Sequence, residues 1–191
     1  MTQTPAQEFR EIAGRFGELC DPVPADRWDA PSPVDDWTAR DVVRHLVEWF
    51  PSFLAGGAGV ALPAGPSVDE DPAGAWHHLQ DEVQALLDDP ASADRMLSNP
   101  HIGDVPLPQA VSQFFTGDVF MHAWDLARAT GQDDTLDAER CQLMLAGMEP
   151  VEGLMRDSGQ YGARVEVPAG ADAQTRLLGF IGRDPFWVSP T

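Results

Sequence analysis

The stretch "TGDVFMHAWDLARATG", residues 116–131, decides the fold. It reads as helix throughout and stops at Gly131, a residue suited to the left-handed cap just past a helix end. Phe120, Met121 and Trp124, with Phe114 and Phe115 just upstream, mark the helix as buried. Yet Asp118 and His122 stand four residues apart, one above the other on a single face. A buried carboxylate without a partner is costly, because its charge loses water. An Arg, a hydrogen-bonded His or a metal ion would each compensate.

Working outward, the same periodicity recurs. Phe9, Ile12, Phe16 and Leu19 make one apolar stripe over residues 4–20. Thr38 followed by Asp41 resembles a capping box and opens a second helix, which loses regularity near Pro51 or the glycines at 56 and 57. In that helix Val42, His45, Leu46, Trp49 and Phe53 share three-four spacing, so His45 is expected on the apolar face, pointing inward. A third helix follows Asp71, with Pro72 at its favoured first position and a stripe of Trp76, Leu79, Val83, Leu86 and Leu87. The helix of the opening stretch begins near Pro108. Another spans 137–156, kinked at Pro150, and a last one runs over 173–182. "RMLSNPHIGDVPL" (95–107) reads as a short extended pair or simply a loop, and a short strand is expected at 164–167. Four long helices with short additions predict an all-α bundle.

Composition narrows the function. The chain of 191 residues is 43% apolar, which suits one soluble domain. Its net charge is -19, with twelve Arg and no Lys. Such a surface repels phosphate backbones and anionic lipid, so neither nucleic acid nor a membrane is an expected partner. No apolar run approaches the ~18 residues of a membrane span, and "MTQTPAQEFREI" (1–12) has no basic region followed by an apolar one. A cytoplasmic protein, monomer or homodimer, is the expectation. Cys20 and Cys141 form no CxxC pair and read as buried thiols.

His45 is the natural third member beside Asp118 and His122. Two His and one carboxylate around a divalent ion, with positions left open, is a common catalytic arrangement. On spacing alone the metal signal is weak, and the favoured reading is an Asp118–His122 hydrogen bond beside an unrelated core His45. Asp125 lies three residues after His122, where it would orient a ligand His or pair with an Arg. Arg128 would hold a ligand or cofactor carboxylate, or close the helix end in a salt bridge. Arg40 and Arg44 read as solvated. The adjacent His77 and His78 point about 100° apart and cannot chelate from one face; they and His101 read as surface residues. "GRDPFW" (182–187) reads as a packed turn anchored by Phe186 and Trp187, or as a pocket wall.

"WTARDVVRHLVEW" (37–49) resembles the first signature of the DinB/YfiT-like superfamily, and more closely the metal-binding domain of mycothiol-dependent maleylpyruvate isomerase. "VFMHAWDLARATG" (119–131) resembles that family's second signature. The tail "YGARVEVPAGADAQTRLLGFIGRDPFW" (161–187) is similar to the ending of an actinobacterial-type subgroup. The resemblance implies a DinB-like four-helix bundle over 1–160 with a C-terminal extension, 161–191, packed on it. It implies a divalent metal, zinc first with nickel, iron or manganese as alternatives, held by His45, Asp118 and His122. One departure stands out: the isomerase pattern has Glu where this chain has the shorter Asp118. The function implied is a mycothiol-type thiol transferase or isomerase acting with a small-molecule thiol or substrate. A metal-dependent hydrolase and a non-catalytic metal- or ligand-binding module are the alternatives.

Overall fold

The computed structural model describes residues 3–100 and 102–189; His101 lies outside them. Four long helices form the bundle: α1 (Pro5–Cys20), α2 (Ala39–Ala58), α3 (Pro72–Asp88) and α5 (Gly117–Thr130). α1 packs against α3 and α5, and α2 packs against the same two helices.

Local chemistry sets the helix ends. Thr4 and Gln7 form a capping box at α1, and Thr38 and Asp41 form one at α2, each satisfying otherwise orphaned backbone donors. Asp71 accepts from Gly74 N ahead of α3, with Pro72 in the first turn. α2 continues through Pro51 as far as Ala58 and is closed by Gly59 at φ 61. It therefore outruns the irregularity expected at Pro51 or at residues 56 and 57.

The core stripe of α1 is as expected, with Phe9, Ile12, Phe16 and Leu19 all buried. On α2 the buried face is Val42, Val43, Leu46, Phe50 and Leu54. His45, Trp49 and Phe53 form a second, half-buried stripe along its flank. His45 is thus at the edge of the core, not within it. Phe50 stacks on Phe115 with ring centroids 3.9 Å apart, and Phe16 packs on Trp76 at 4.4 Å.

The extended pair is real: β1 (Met96–Asn99) and β2 (Gly103–Pro106) form an antiparallel hairpin. Its Leu97 is fully buried against Gly57 of α2, where an added Cβ would lie 2.8 Å from Leu97 Cγ. From the hairpin the chain passes directly into α4 (Leu107–Ala110), a π-helical turn (Val111–Thr116) and α5. The π turn, which carries an extra residue per turn, has no counterpart in the sequence reading.

Pro150 interrupts the next helix as expected. α6 (Ala138–Met148) gives way to a 3₁₀ turn (Glu149–Val151) and then to α7 (Glu152–Asp157). Residues 164–167 are not a strand. Val165 N donates to Gly179 O, but the segment has no ladder partner among the described residues. α8 (Ala173–Ile181) packs on α6 and ends at Gly182.

Candidate metal centre

α2 and α5 bring His45, Asp118 and His122 together, as the spacing suggested. One ligand atom from each lies within 4.8 Å of the others. His45 Nε2 is 3.0 Å from Asp118 Oδ2, and His122 Nε2 is 3.4 Å from Asp118 Oδ1. The two imidazoles meet edge-on with centroids 4.9 Å apart. His122 is buried, while His45 and Asp118 retain partial exposure, so the group sits at the rim of the bundle core.

Asp125 takes the orienting position. Its Oδ2 lies 2.9 Å from His122 Nδ1, so the Nδ1–H donates to it and Nε2 is the nitrogen presented to Asp118. Metal-ligating His residues typically engage a carboxylate or carbonyl through the other ring nitrogen in this way. Asp125 is itself held by Arg183, whose Nε and Nη2 donate at 2.9 and 3.1 Å.

The charges are coupled. Burial would push the Asp118 carboxyl up, but the two imidazoles and the Trp49 indole hold it below the usual carboxylate range. Burial would push His122 down, yet Asp118 and Asp125 raise it above the ordinary histidine value. Burial likewise opposes ionisation of Asp125, and His122 with Arg183 outweighs it. Two carboxylates set against one guanidinium leave one negative charge in this cluster. Protonated imidazole or a bound cation would balance it.

Three residues outside the expected set complete the surroundings. Trp49 Nε1 donates to Asp118 Oδ2 at 3.0 Å. Trp37 lies over both imidazoles, stacked on His122 at 5.8 Å and tilted against His45 at 5.1 Å. A left-handed turn at Asp36, φ 64, precedes it. Tyr161 is half-buried, and burial together with the Asp118 charge raises its hydroxyl pKa. Nothing in the sequence singles out Trp37, Trp49, Tyr161 or Arg183 for the site: Trp37 and Trp49 stand at the two ends of the stretch 37–49, and Tyr161 and Arg183 lie in the tail 161–187, where only the resemblance marks them.

The other candidates take structural partners. Arg128 pairs with Asp134, donates to Pro185 O at 3.1 Å and lies over the Trp124 ring. Arg40 is not solvated: its side chain is 17% exposed and donates to Val68 O and Asp69 O. Arg44 bonds Asp69 at 2.7 Å. His77 meets Asp21 and His78 meets Pro63 O, both away from the trio. Cys20 and Cys141 are buried free thiols. Trp187 packs on the core, but Phe186 is 63% exposed and anchors nothing.

The sequence pattern of the mycothiol maleylpyruvate isomerase N-terminal domain matches residues 9–127, a span that contains His45, Asp118, His122 and Asp125. The chain belongs to that family. Membership of the mycothiol maleylpyruvate isomerase N-terminal domain family points to mycothiol-related activity and accords with the helical bundle. Two uncharacterised proteins of Mycobacterium tuberculosis, from the CDC 1551 / Oshkosh and H37Rv strains, are each 29% identical over 182 residues. The alignment covers 94% of this chain and 97% of each of them. No solved structure matches the chain significantly. Among the described residues, no helix is long and apolar enough to cross a membrane.

Proposed function

We propose that this protein is a divalent-metal-dependent enzyme that uses a low-molecular-weight thiol of the mycothiol type to transfer or isomerise a small-molecule substrate. The observation that carries the reading is the convergence of His45, Asp118 and His122, with His122 already oriented by Asp125. Two imidazoles and a carboxylate form the donor set of many catalytic zinc sites, which keep at least one position open. The negative charge that two carboxylates and one guanidinium leave favours a cation there, in competition with protonation of His122.

Each residue has a distinct task. His45, Asp118 and His122 would hold the ion. Trp49 fixes Asp118 from the facing helix, and Trp37 packs against both imidazoles. Bound here, a divalent ion would lower the pKa of a thiol or water in its open position and supply a nucleophile near neutral pH. Family membership supports the thiol as the physiological co-substrate.

Cobalt substitution tests the proposal. Thiolate ligation to cobalt gives a strong near-ultraviolet band. Titrating mycothiol, or a simple thiol at high concentration, into the cobalt protein should raise that band. Cobalt that binds but shows no response to any thiol contradicts the thiol reading. A metal-dependent hydrolase or a non-catalytic binding module would then take its place.

A further inference from the structure

The segment that locks Asp125 comes from the far end of the chain, beyond the span that matches the family. Its placement begins with Gly182, which ends α8 at φ 88. An added Cβ there would lie 2.9 Å from Gly162 Cα and 3.0 Å from Ala163 O, so both conformation and space require glycine. The next residue, Arg183, returns its backbone N–H to Leu178 O at 2.9 Å. Its guanidinium then reaches both oxygens of the fully buried Asp125.

The two-pronged contact sets more than charge. A planar guanidinium bonded to both carboxylate oxygens fixes the carboxylate plane. Asp125 Oδ2, so fixed, accepts from His122 Nδ1 and thereby sets the direction of the imidazole. Four groups in series, Gly182, Arg183, Asp125 and His122, connect the docking of α8 to the aim of one ligand nitrogen.

We infer that Arg183 is a positioning residue for metal binding, acting through Asp125 on His122, so that seating of the C-terminal segment and metal affinity are coupled. The inference rests on the metal-binding reading above. Coupling of this kind is reciprocal: whatever factor the seated segment adds to metal affinity, the metal adds to the stability of the seated segment.

The test uses zinc alone and the full untagged chain. Zinc titrations compare wild type with Arg183→Ala and Arg183→Lys. Loss of an outer partner of a ligand His typically lowers affinity about 10–100-fold, and Arg183→Ala is expected within that range. Arg183→Lys keeps the charge but not the planar fork, so it should remain several-fold weaker than wild type. Amide exchange gives the second readout: zinc should slow exchange across Ala173–Ile181 in wild type and not in Arg183→Ala. If Arg183→Ala fails to fold, the lysine variant decides alone. Full recovery of affinity in Arg183→Lys would show that the residue only neutralises Asp125, and overturns the inference. Equal zinc affinity in all three proteins overturns it too, while leaving the metal site standing. Wild type that binds no zinc removes both.

Discussion

The indole N–H of Trp49 donates to Asp118 Oδ2 across the α2–α5 seam at 3.0 Å, and His45 Nε2 approaches the same oxygen at 3.0 Å. The facing helix thus holds one carboxylate oxygen, while Oδ1 turns toward His122. Asp has a shorter arm than the Glu of the isomerase pattern, and α2 fixes where that arm points.

Trp49→Phe keeps the ring and removes the donor. Zinc affinity is expected to fall about tenfold, as for other outer partners of metal ligands. The metal-free fold should lose only ~1 kcal/mol, the net worth of an ordinary hydrogen bond. Parallel zinc titration and urea unfolding separate the two effects. Unchanged affinity would mean that the Trp49 contact is incidental to the site.

His122→Ala should abolish zinc retention and leave the bundle folded. The core is built by Phe9, Phe16, Leu46, Phe50, Trp76 and Phe115, none of which needs an ion. The far-ultraviolet circular dichroism of the variant should match that of wild type. Loss of helix together with loss of metal would mark the ion as structural, since binding energy is then folding energy.

Phe115→Ala should be far more damaging to stability. The ring is fully buried and stacked on Phe50 at 3.9 Å. Truncations of this kind cost ~3–5 kcal/mol, readable as a shift in the urea midpoint. A loss below ~1 kcal/mol would show that the π turn packs on α2 more loosely than its geometry indicates.

The cysteines should be inert. Burial, with a smaller contribution from neighbouring acidic groups, raises Cys141 to about 11 and Cys20 well above its ordinary value. The thiolate is the reactive form, so alkylation of the folded chain by iodoacetamide should be negligible at pH 8 and should rise as pH approaches the thiol pKa. Both thiols are neutral at pH 7 whether folded or unfolded. The raised values therefore contribute nothing to stability there, and destabilise only as pH rises past the unfolded thiol pKa. Rapid labelling of folded protein at pH 8 would contradict this.

What the sequence disclosed was largely local. The Thr38–Asp41 box, the Gly131 cap and the Asp118–His122 pair depend on spacings of a few residues, and all three stand as read. The phase of α2 was harder. Its apolar residues cover two adjacent stripes, and only packing distinguishes the buried Phe50 from the half-buried Trp49. The π turn at Val111–Thr116 has no residue pattern that announces it. Arg183 meets Asp125 across 58 positions of chain, so the contact depends on how α8 docks. The same limit separates Trp187, which packs, from Phe186 beside it, which does not.

The most direct measurement is the zinc content and zinc affinity of untagged wild-type protein set beside the single variants His45→Ala, Asp118→Ala and His122→Ala. Elemental analysis after exhaustive dialysis should give one zinc per wild-type chain and almost none for either histidine variant. Asp118→Ala should bind zinc more weakly than wild type. Wild type free of metal, or variants that retain it in full, would contradict a metal centre built by His45, Asp118 and His122.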